Sequence, residues 1–201
     1  MAIYLREDEI GQDPNLVGFP TLGSCMGLAV VTDNSIFGFH MPPGHADRIS
    51  AFGALWQGEA THGLFACCRF AHRYSGSGDA FSQWMQEVKI CARAMSYRGP
   101  VTGVNLSTLL GGTTGRISDA TESAYCEFGL SPAGIVTIGA SLTSDTTATT
   151  RIDANTGIRR VSASGNQTVP YRNRVIDSVT RTSGDPMTTP AGGKSMFSFT
   201  L

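Results

Sequence analysis

The chain has few charged residues, and lysine is rare among them. Only 15 % of its 201 residues are charged, and the formal net charge is −1. No run is rich in lysine and arginine, so the sequence lacks the basic footprint of a nucleic-acid-binding protein. No window reaches the roughly 18 apolar residues that a membrane-spanning helix needs. We therefore expect neither a nucleic-acid partner nor a membrane segment.

Secretion and metal-binding signals are also missing from the sequence. The start, MAIYLRED, has neither a basic leader nor a sufficient apolar stretch, so we expect synthesis in the cytosol, with export by a leaderless route left open. The five cysteines are odd in number and form no CxxC pair, which predicts reduced thiols and no zinc site. Cys67, Cys68 and His72 are close in sequence, but their apolar run favours packing in a core strand. We expect no cofactor and no metal.

Glycine, serine and threonine are abundant, and 41 % of the residues are hydrophobic. This composition favours short strands and turns within a single domain spanning residues 1–201. Apolar spacing predicts helices over 46–57 and 80–97. Strand patterns occur at 26–31, 36–41, 62–72, 101–110, 122–130, 135–142, 151–161, 171–182 and 196–201. The sequence therefore predicts an α/β (α+β) fold: a layered, sandwich-like core of mixed or antiparallel strands with about two helices packed on it.

A cysteine and a histidine flank a predicted hairpin. Cys25 follows a Gly-Ser turn at the start of the apolar run 26–31, and His40 lies near the end of the run 36–41. Residues 32–35 (TDNS) are typical of a turn. With the turn centred near position 33, Cys25 is expected to face position 40 or 41. A thiol beside an imidazole is the minimum equipment for nucleophilic catalysis by a thiolate.

This pair predicts a particular set of roles. The imidazole of His40 takes the proton of Cys25, and the thiolate attacks a carboxamide or acyl carbon. The N–H groups of Ser24 and Cys25 can converge in the turn as oxyanion donors. A third group must orient the imidazole. We expect the side chain of Thr21 in this role, with a main-chain carbonyl of 17–19 as the alternative.

Substrate contacts are expected in loops around this pair. His45 follows Pro42–Gly44 and is a candidate substrate-binding residue at the mouth of the site. The loops 42–47, 111–118 and 141–150 are candidates for setting specificity. The expected partner is a protein substrate, and we expect the chain to act as a monomer.

The two motifs TLGSC (21–25) and GFHMP (38–42) resemble the Cys–His glutamine deamidase superfamily. This group includes the bacterial chemotaxis receptor deamidases, the catalytic domain of cytotoxic necrotizing factors and, more distantly, Burkholderia lethal factor. The resemblance covers roughly residues 17–43. It implies a layered α/β sandwich that hydrolyses a protein glutamine amide to glutamate and releases ammonia. It also implies that Cys25 is the nucleophile, His40 the general base and Thr21 the orienting residue.

Three alternatives remain open. Beyond position 45 the chain departs from the chemotaxis enzymes, and its C-terminal half is rich in serine and threonine, which favours a toxin or effector over a chemotaxis-receptor deamidase. A Cys–His pair also serves proteases and transglutaminases, and no motif decides whether water or an amine is the acceptor. In the third alternative the chain is a non-catalytic, β-rich binding or assembly module in which Cys25 is inert.

Overall fold

The computed structural model describes residues 3–44, 48–76, 78–111, 124–142, 148–152, 159–163, 174–180 and 196–201. The strands are β1 (Ile3–Tyr4), β2 (Ile10–Asp13), β3 (Leu16–Leu22), β4 (Met26–Thr32), β5 (Ile36–Met41), β6 (Thr61–Cys68), β7 (Pro100–Asn105), β8 (Ala124–Leu130), β9 (Ile135–Leu142), β10 (Ala148–Ile152), β11 (Arg159–Ala163), β12 (Arg174–Thr180) and β13 (Met196–Thr200). The helices are α1 (Ile49–Ala54), α2 (Phe70–Arg73), α3 (Ala80–Ala94) and α4 (Leu106–Gly111). None of the helices in these ranges is long and apolar enough to cross a membrane.

Two sheets organise the described residues. One has six strands in the order β13-β7-β6-β4-β5-β2, and the other has five in the order β1-β3-β8-β9-β12. In the six-stranded sheet β4 pairs antiparallel with both β5 and β6, while β6 and β7 are parallel. The strands β10 and β11 form a separate antiparallel pair. The expected mixed α+β class, with antiparallel and parallel strands, is confirmed.

The central strand β4 is buried on both faces, which explains its continuous apolar run. Met26, Leu28 and Val30 belong to the core cluster that includes the helix residues, whereas Ala29 and Val31 belong to the cluster shared with the five-stranded sheet. The alternation follows from the period of two along a strand. Three layers result, in the order helices, six-stranded sheet, five-stranded sheet.

The main helix, α3, begins where the sequence predicted it. The side chain of Asp79 accepts a hydrogen bond from Ser82 N at 3.0 Å, which caps the first turn. The helix ends at Ala94, a few residues before the expected end at 97, and Ser96 then adopts a left-handed φ of 57°. Helix α1 covers 49–54 of the expected 46–57, and residues 45–47 lie outside the described ranges.

Two predicted strands were too long, because each turns into a short helix. The strand expected over 62–72 ends at Cys68, and Phe70 opens α2 and packs against Trp84 with 5.6 Å between ring centroids. The strand expected over 101–110 ends at Asn105, whose Oδ1 accepts from Ser107 N at 3.1 Å and starts α4. Asparagine competes for main-chain N–H groups in this way and favours helix starts.

The strand expected over 151–161 was also wrong, since it is divided between β10 and β11. These two strands pair antiparallel, with Ala148 opposite Ala163 and Ile152 opposite Arg159, and residues 153–158 lie outside the described ranges. The loop expected over 141–150 begins within β9, which ends at Leu142, and gives way to β10 from Ala148 onward, while residues 143–147 lie outside the described ranges.

Candidate functional site

The hairpin that carries Cys25 and His40 has a register different from the expected one. Its strands pair Met26 with Met41 and Gly27 with His40. The predicted turn at 32–35 is present, with Thr32 N donating to Ser35 O at 2.9 Å. Continuing this register places Pro42 opposite Cys25, so the expectation that position 25 faces 40 or 41 was wrong by one or two residues.

The two side chains nevertheless lie on the same face of the sheet. Cys25 is two residues from Gly27, which is the partner of His40. Residues that are diagonal neighbours across two paired strands lie about 7–8 Å apart. Both side chains project into the layer between the two sheets, where Cys25 is 5 % exposed. The His40 ring packs edge-on against the Phe19 ring, with 6.1 Å between the ring centroids. A Cβ on Gly27 would lie 2.7 Å from Cys67 Sγ and 2.8 Å from the Phe19 ring, so glycine at this position leaves room for the side chains of Cys67 and Phe19.

His40 is held by the segment of residues 5–9. Its Nδ1 lies 2.7 Å from Leu5 O, and its main chain bonds on both sides, with His40 N donating to Glu9 O at 3.0 Å and Asp8 N donating to His40 O at 2.8 Å. Arg48 Nη1 ties the same segment to the start of α1 by donating to Asp8 O at 3.0 Å. The imidazole is therefore fixed in position and orientation.

The bond to Leu5 sets the proton on the ring. A carbonyl oxygen only accepts, so Nδ1 carries the hydrogen, and Nε2 of the neutral ring has its lone pair free. Nε2 is buried and makes no hydrogen bond with any residue in the described ranges. The thiol of Cys25 and Nε2 are thus unbonded in this state. Catalytic hydrogen bonds often form only when substrate is bound.

The group that bonds Nδ1 of His40 is Leu5 O and not the side chain of Thr21. The Thr21 hydroxyl donates to Pro20 O at 2.7 Å, while Leu5 O occupies the position on Nδ1. The alternative, a carbonyl of 17–19, also does not touch the ring, but Gly18 O accepts from Leu5 N at 2.8 Å and so holds the residue that does. Sequence reasoning missed Leu5 because a main-chain carbonyl leaves no side-chain signal and because Leu5 lies 35 positions before His40 in the chain.

Burial keeps both groups neutral near pH 7. The pKa of the Cys25 thiol is raised to about 11, mainly by burial and further by the Glu7 carboxylate, while the guanidinium of Arg73 lowers it. The pKa of His40 is lowered to about 4, mainly by burial, with the bond to Leu5 O opposing this and Arg73 adding to it. The pair is therefore a thiol and a neutral base rather than a preformed ion pair.

The low pKa of His40 predicts acid destabilisation. An unfolded histidine has a pKa of about 6.5, so the neutral buried ring contributes its full stability above that pH and loses it as the pH falls to about 4. The free energy of unfolding should drop by about 3 kcal/mol across this window through His40 alone. Urea unfolding at several pH values, for the wild type and His40→Asn, isolates this contribution because the carboxylates titrate in both proteins. Equal pH dependence in the two proteins would contradict the prediction.

Arg73 is a site residue that the sequence did not reveal. It ends α2, and its Nη1 donates to Ser24 O at 2.5 Å, directly before Cys25. Glu87 on α3 holds the same guanidinium, with Nε donating to Oε2 at 2.9 Å. The sequence analysis missed Arg73 because it expected a strand over 62–72. In the structure the strand ends at Cys68, and helix α2 brings Arg73 close to the turn before Cys25.

The remaining predicted residues are placed as follows. Among the described residues, the amides of Ser24 and Cys25 have no main-chain hydrogen-bond acceptor outside the strand ladders. His45 lies outside the described ranges. Cys67 and Cys68 are fully buried core residues of β6, as expected. The described ranges contain no group of three or more His, Cys, Asp or Glu side chains arranged to hold a metal ion.

No protein-family model and no curated protein sequence matches the chain.

Proposed function

We propose that this protein is a cysteine-dependent glutamine deamidase that acts on protein substrates. The observation that carries the proposal is the state of His40, a neutral imidazole whose Nδ1–H is held by Leu5 O and whose bare Nε2 lies on the same face as Cys25. A base oriented through one ring nitrogen and free at the other is the requirement for activating a neighbouring nucleophile. The resemblance of the motifs around both residues to the Cys–His deamidases supports a glutamine carboxamide as the group that is attacked.

The proposed reaction has two halves. The Cys25 thiol transfers its proton to His40 Nε2, and the sulfur bonds to the carboxamide carbon of glutamine. The amides of Ser24 and Cys25 stabilise the oxyanion. The C–N bond then breaks while the imidazolium protonates the leaving nitrogen. Ammonia departs, and a thioester between Cys25 and the glutamine acyl group remains. Water, deprotonated by His40, cleaves the thioester to give glutamate and restore the thiol.

We further propose that the protein works as a bacterial toxin or effector on a protein of a target cell. The Ser/Thr-rich C-terminal half, which does not follow the chemotaxis enzymes, supports this over a receptor deamidase. The target is to be found by experiment, since the specificity loops around such a site vary freely.

The test is a search for glutamine-to-glutamate conversion in cell lysates. Bacterial and animal lysates are incubated with the protein, and deamidated peptides are mapped by mass spectrometry alongside ammonia release. Protein alkylated at Cys25 serves as the control, and a primary amine is added in parallel. We expect conversion at particular glutamines that alkylation abolishes. Amine incorporation in place of hydrolysis would assign transglutamination, and new chain termini would assign proteolysis; either result overturns deamidation.

A non-catalytic binding or assembly module is the second candidate. It is favoured by the burial of Cys25, by its raised thiol pKa of about 11 and by the missing bond to His40. This candidate predicts that iodoacetamide labels Cys25 no faster than the buried Cys91. Faster labelling of Cys25 would instead support the enzyme, because reactivity follows thiolate character and exposure.

A further inference from the structure

A buried ion pair lies behind the turn that carries Cys25. The Arg73 side chain is only 3 % exposed, and its Nη2 pairs with Glu87 Oε1 while its Nε bonds the other oxygen. Tyr74 donates its hydroxyl to Glu87 Oε2 at 2.6 Å. Such two-point pairing fixes a guanidinium in one plane. The remaining contact, from Nη1 to Ser24 O, is therefore made by a group with little freedom.

Holding the Ser24 carbonyl also fixes the amide of Cys25. The two groups belong to one peptide plane, and the described residues include no cis peptide bond. In a trans peptide the C=O and the following N–H point in opposite directions. With Ser24 O directed at Arg73, the N–H of Cys25 points away from α2. This N–H is one of the two oxyanion donors proposed above.

The charge of Arg73 reaches both groups of the site. It lowers the pKa of the Cys25 thiol and that of His40, so it favours the thiolate and disfavours a resting imidazolium. The charged groups that bear on the thiol are Glu7 from the segment 5–9 and Arg73 from α2. His40 on β5 is the titratable group on the neighbouring strand, and its ring is neutral near pH 7. Glu87 in turn sits against Arg73 and partly compensates its charge.

We propose that Arg73 is a positioning residue for the nucleophile: anchored by Glu87, it orients the peptide between Ser24 and Cys25 and stabilises the negative charge that forms on the sulfur. The inference rests on the proposed role of Cys25 as the nucleophile, and it holds for any acyl group that the thiolate attacks. The described hydrogen bonds of Arg73 go to Glu87 and to Ser24 O, so it acts on Cys25 through the peptide and through its charge.

The test measures the pH dependence of Cys25 alkylation by iodoacetamide, read at the peptide level. Arg73→Gln should move the midpoint of alkylation to higher pH, and Glu87→Gln should move it to lower pH because the charge of Arg73 loses its counterion. When the midpoint moves by one pH unit, the alkylation rate measured below it changes about tenfold, because the rate follows the thiolate fraction. Arg93→Gln, which removes the same charge from the exposed face of α3, is the matched control and should leave the midpoint unchanged.

The conservative variant separates charge from geometry. Arg73→Lys keeps the charge but loses the planar fork, so the midpoint should stay near that of the wild type while kcat for deamidation falls, by up to about 10²-fold if the Cys25 donor is displaced. Unchanged midpoints in Arg73→Gln and Glu87→Gln overturn the inference. If Arg73→Gln does not fold, Glu87→Gln decides alone. The alkylation midpoints of Arg73→Gln and Glu87→Gln could shift as expected while the wild type deamidates no protein. That result would contradict the proposed function and leave this inference standing.

Discussion

Replacing His40 by asparagine should lower the rate of glutamine deamidation by about 10²–10⁴-fold while the protein remains folded. Asparagine can place an N–H near the position of Nδ1 and keep the bond to Leu5 O, but it has no base where Nε2 stands. His40→Gln is the complementary change to His40→Asn. The glutamine amide reaches toward the position of Nε2, but the bond to Leu5 O is lost. The rates are measured by ammonia release from an unmodified target protein that the lysate search has identified.

Cys25 and His40 should also behave as one unit. Groups that act in a single step are strongly non-additive, so Cys25→Ala, His40→Asn and the double variant should fall to the same residual rate. His62→Asn is the matched control, because His62 pairs with Asp33 at the opposite end of the hairpin, with 2.6 Å between Nε2 and Oδ1. Residual rates that multiply in the double variant would contradict a shared step, and a loss in His62→Asn would show that the assay reports something other than the site.

Replacing Trp84 by alanine should cost about 3–5 kcal/mol in the free energy of unfolding. Trp84 is fully buried on α3 and packs against four phenylalanine rings, with centroid distances of 5.6 Å to Phe70, 6.0 Å to Phe81, 4.7 Å to Phe197 and 5.9 Å to Phe199. Alanine would leave a cavity where α2, α3 and the edge strand β13 meet. Because α3 also carries Glu87, this packing supports the anchor of Arg73.

Denaturant unfolding of Trp84→Ala, Trp84→Phe and Ile90→Ala measures this effect. Ile90 lies on the same helix but is 50 % exposed, so its truncation should change the free energy of unfolding by no more than about 0.5 kcal/mol. Trp84→Phe keeps an aromatic ring and removes an indole N–H that has no hydrogen-bond partner among the described residues, so it should cost less than alanine. Equal losses at positions 84 and 90 would contradict the packing of Trp84 in the core.

Local signals in the sequence were sufficient for the hairpin and the main helix. The turn at 32–35 forms because short polar side chains bond the nearby backbone, and Thr32 Oγ1 accepts from Ser35 N at 3.2 Å. Asp79 caps α3 for the same kind of local reason. Cys25 and His40 fall on one face because a strand has a period of two, which holds even though the register differed from the expected one.

Short helices were less accessible to sequence reasoning, since the choice there depends on distant partners. The runs 62–72 and 101–110 are apolar enough to continue as strands. Phe70 leaves the strand because the ring of Trp84 lies beside it, and α4 begins at the side chain of Asn105. Periodicity alone cannot separate a strand from a short buried helix, and packing decides between them.

By itself, the sequence determined the layered class of the fold and the placement of Cys25 and His40 on one face of a hairpin, because apolar alternation and turn chemistry act over a few residues. Only the tertiary structure decided which group orients His40 and which charged side chain acts on both residues. Leu5 reaches His40 from 35 positions away, and Arg73 reaches Ser24 from 49 positions away. Both contacts involve a main-chain carbonyl, which every residue possesses, so no side-chain pattern marks them. Their strength comes from burial, which removes competing water and makes each of these contacts selective.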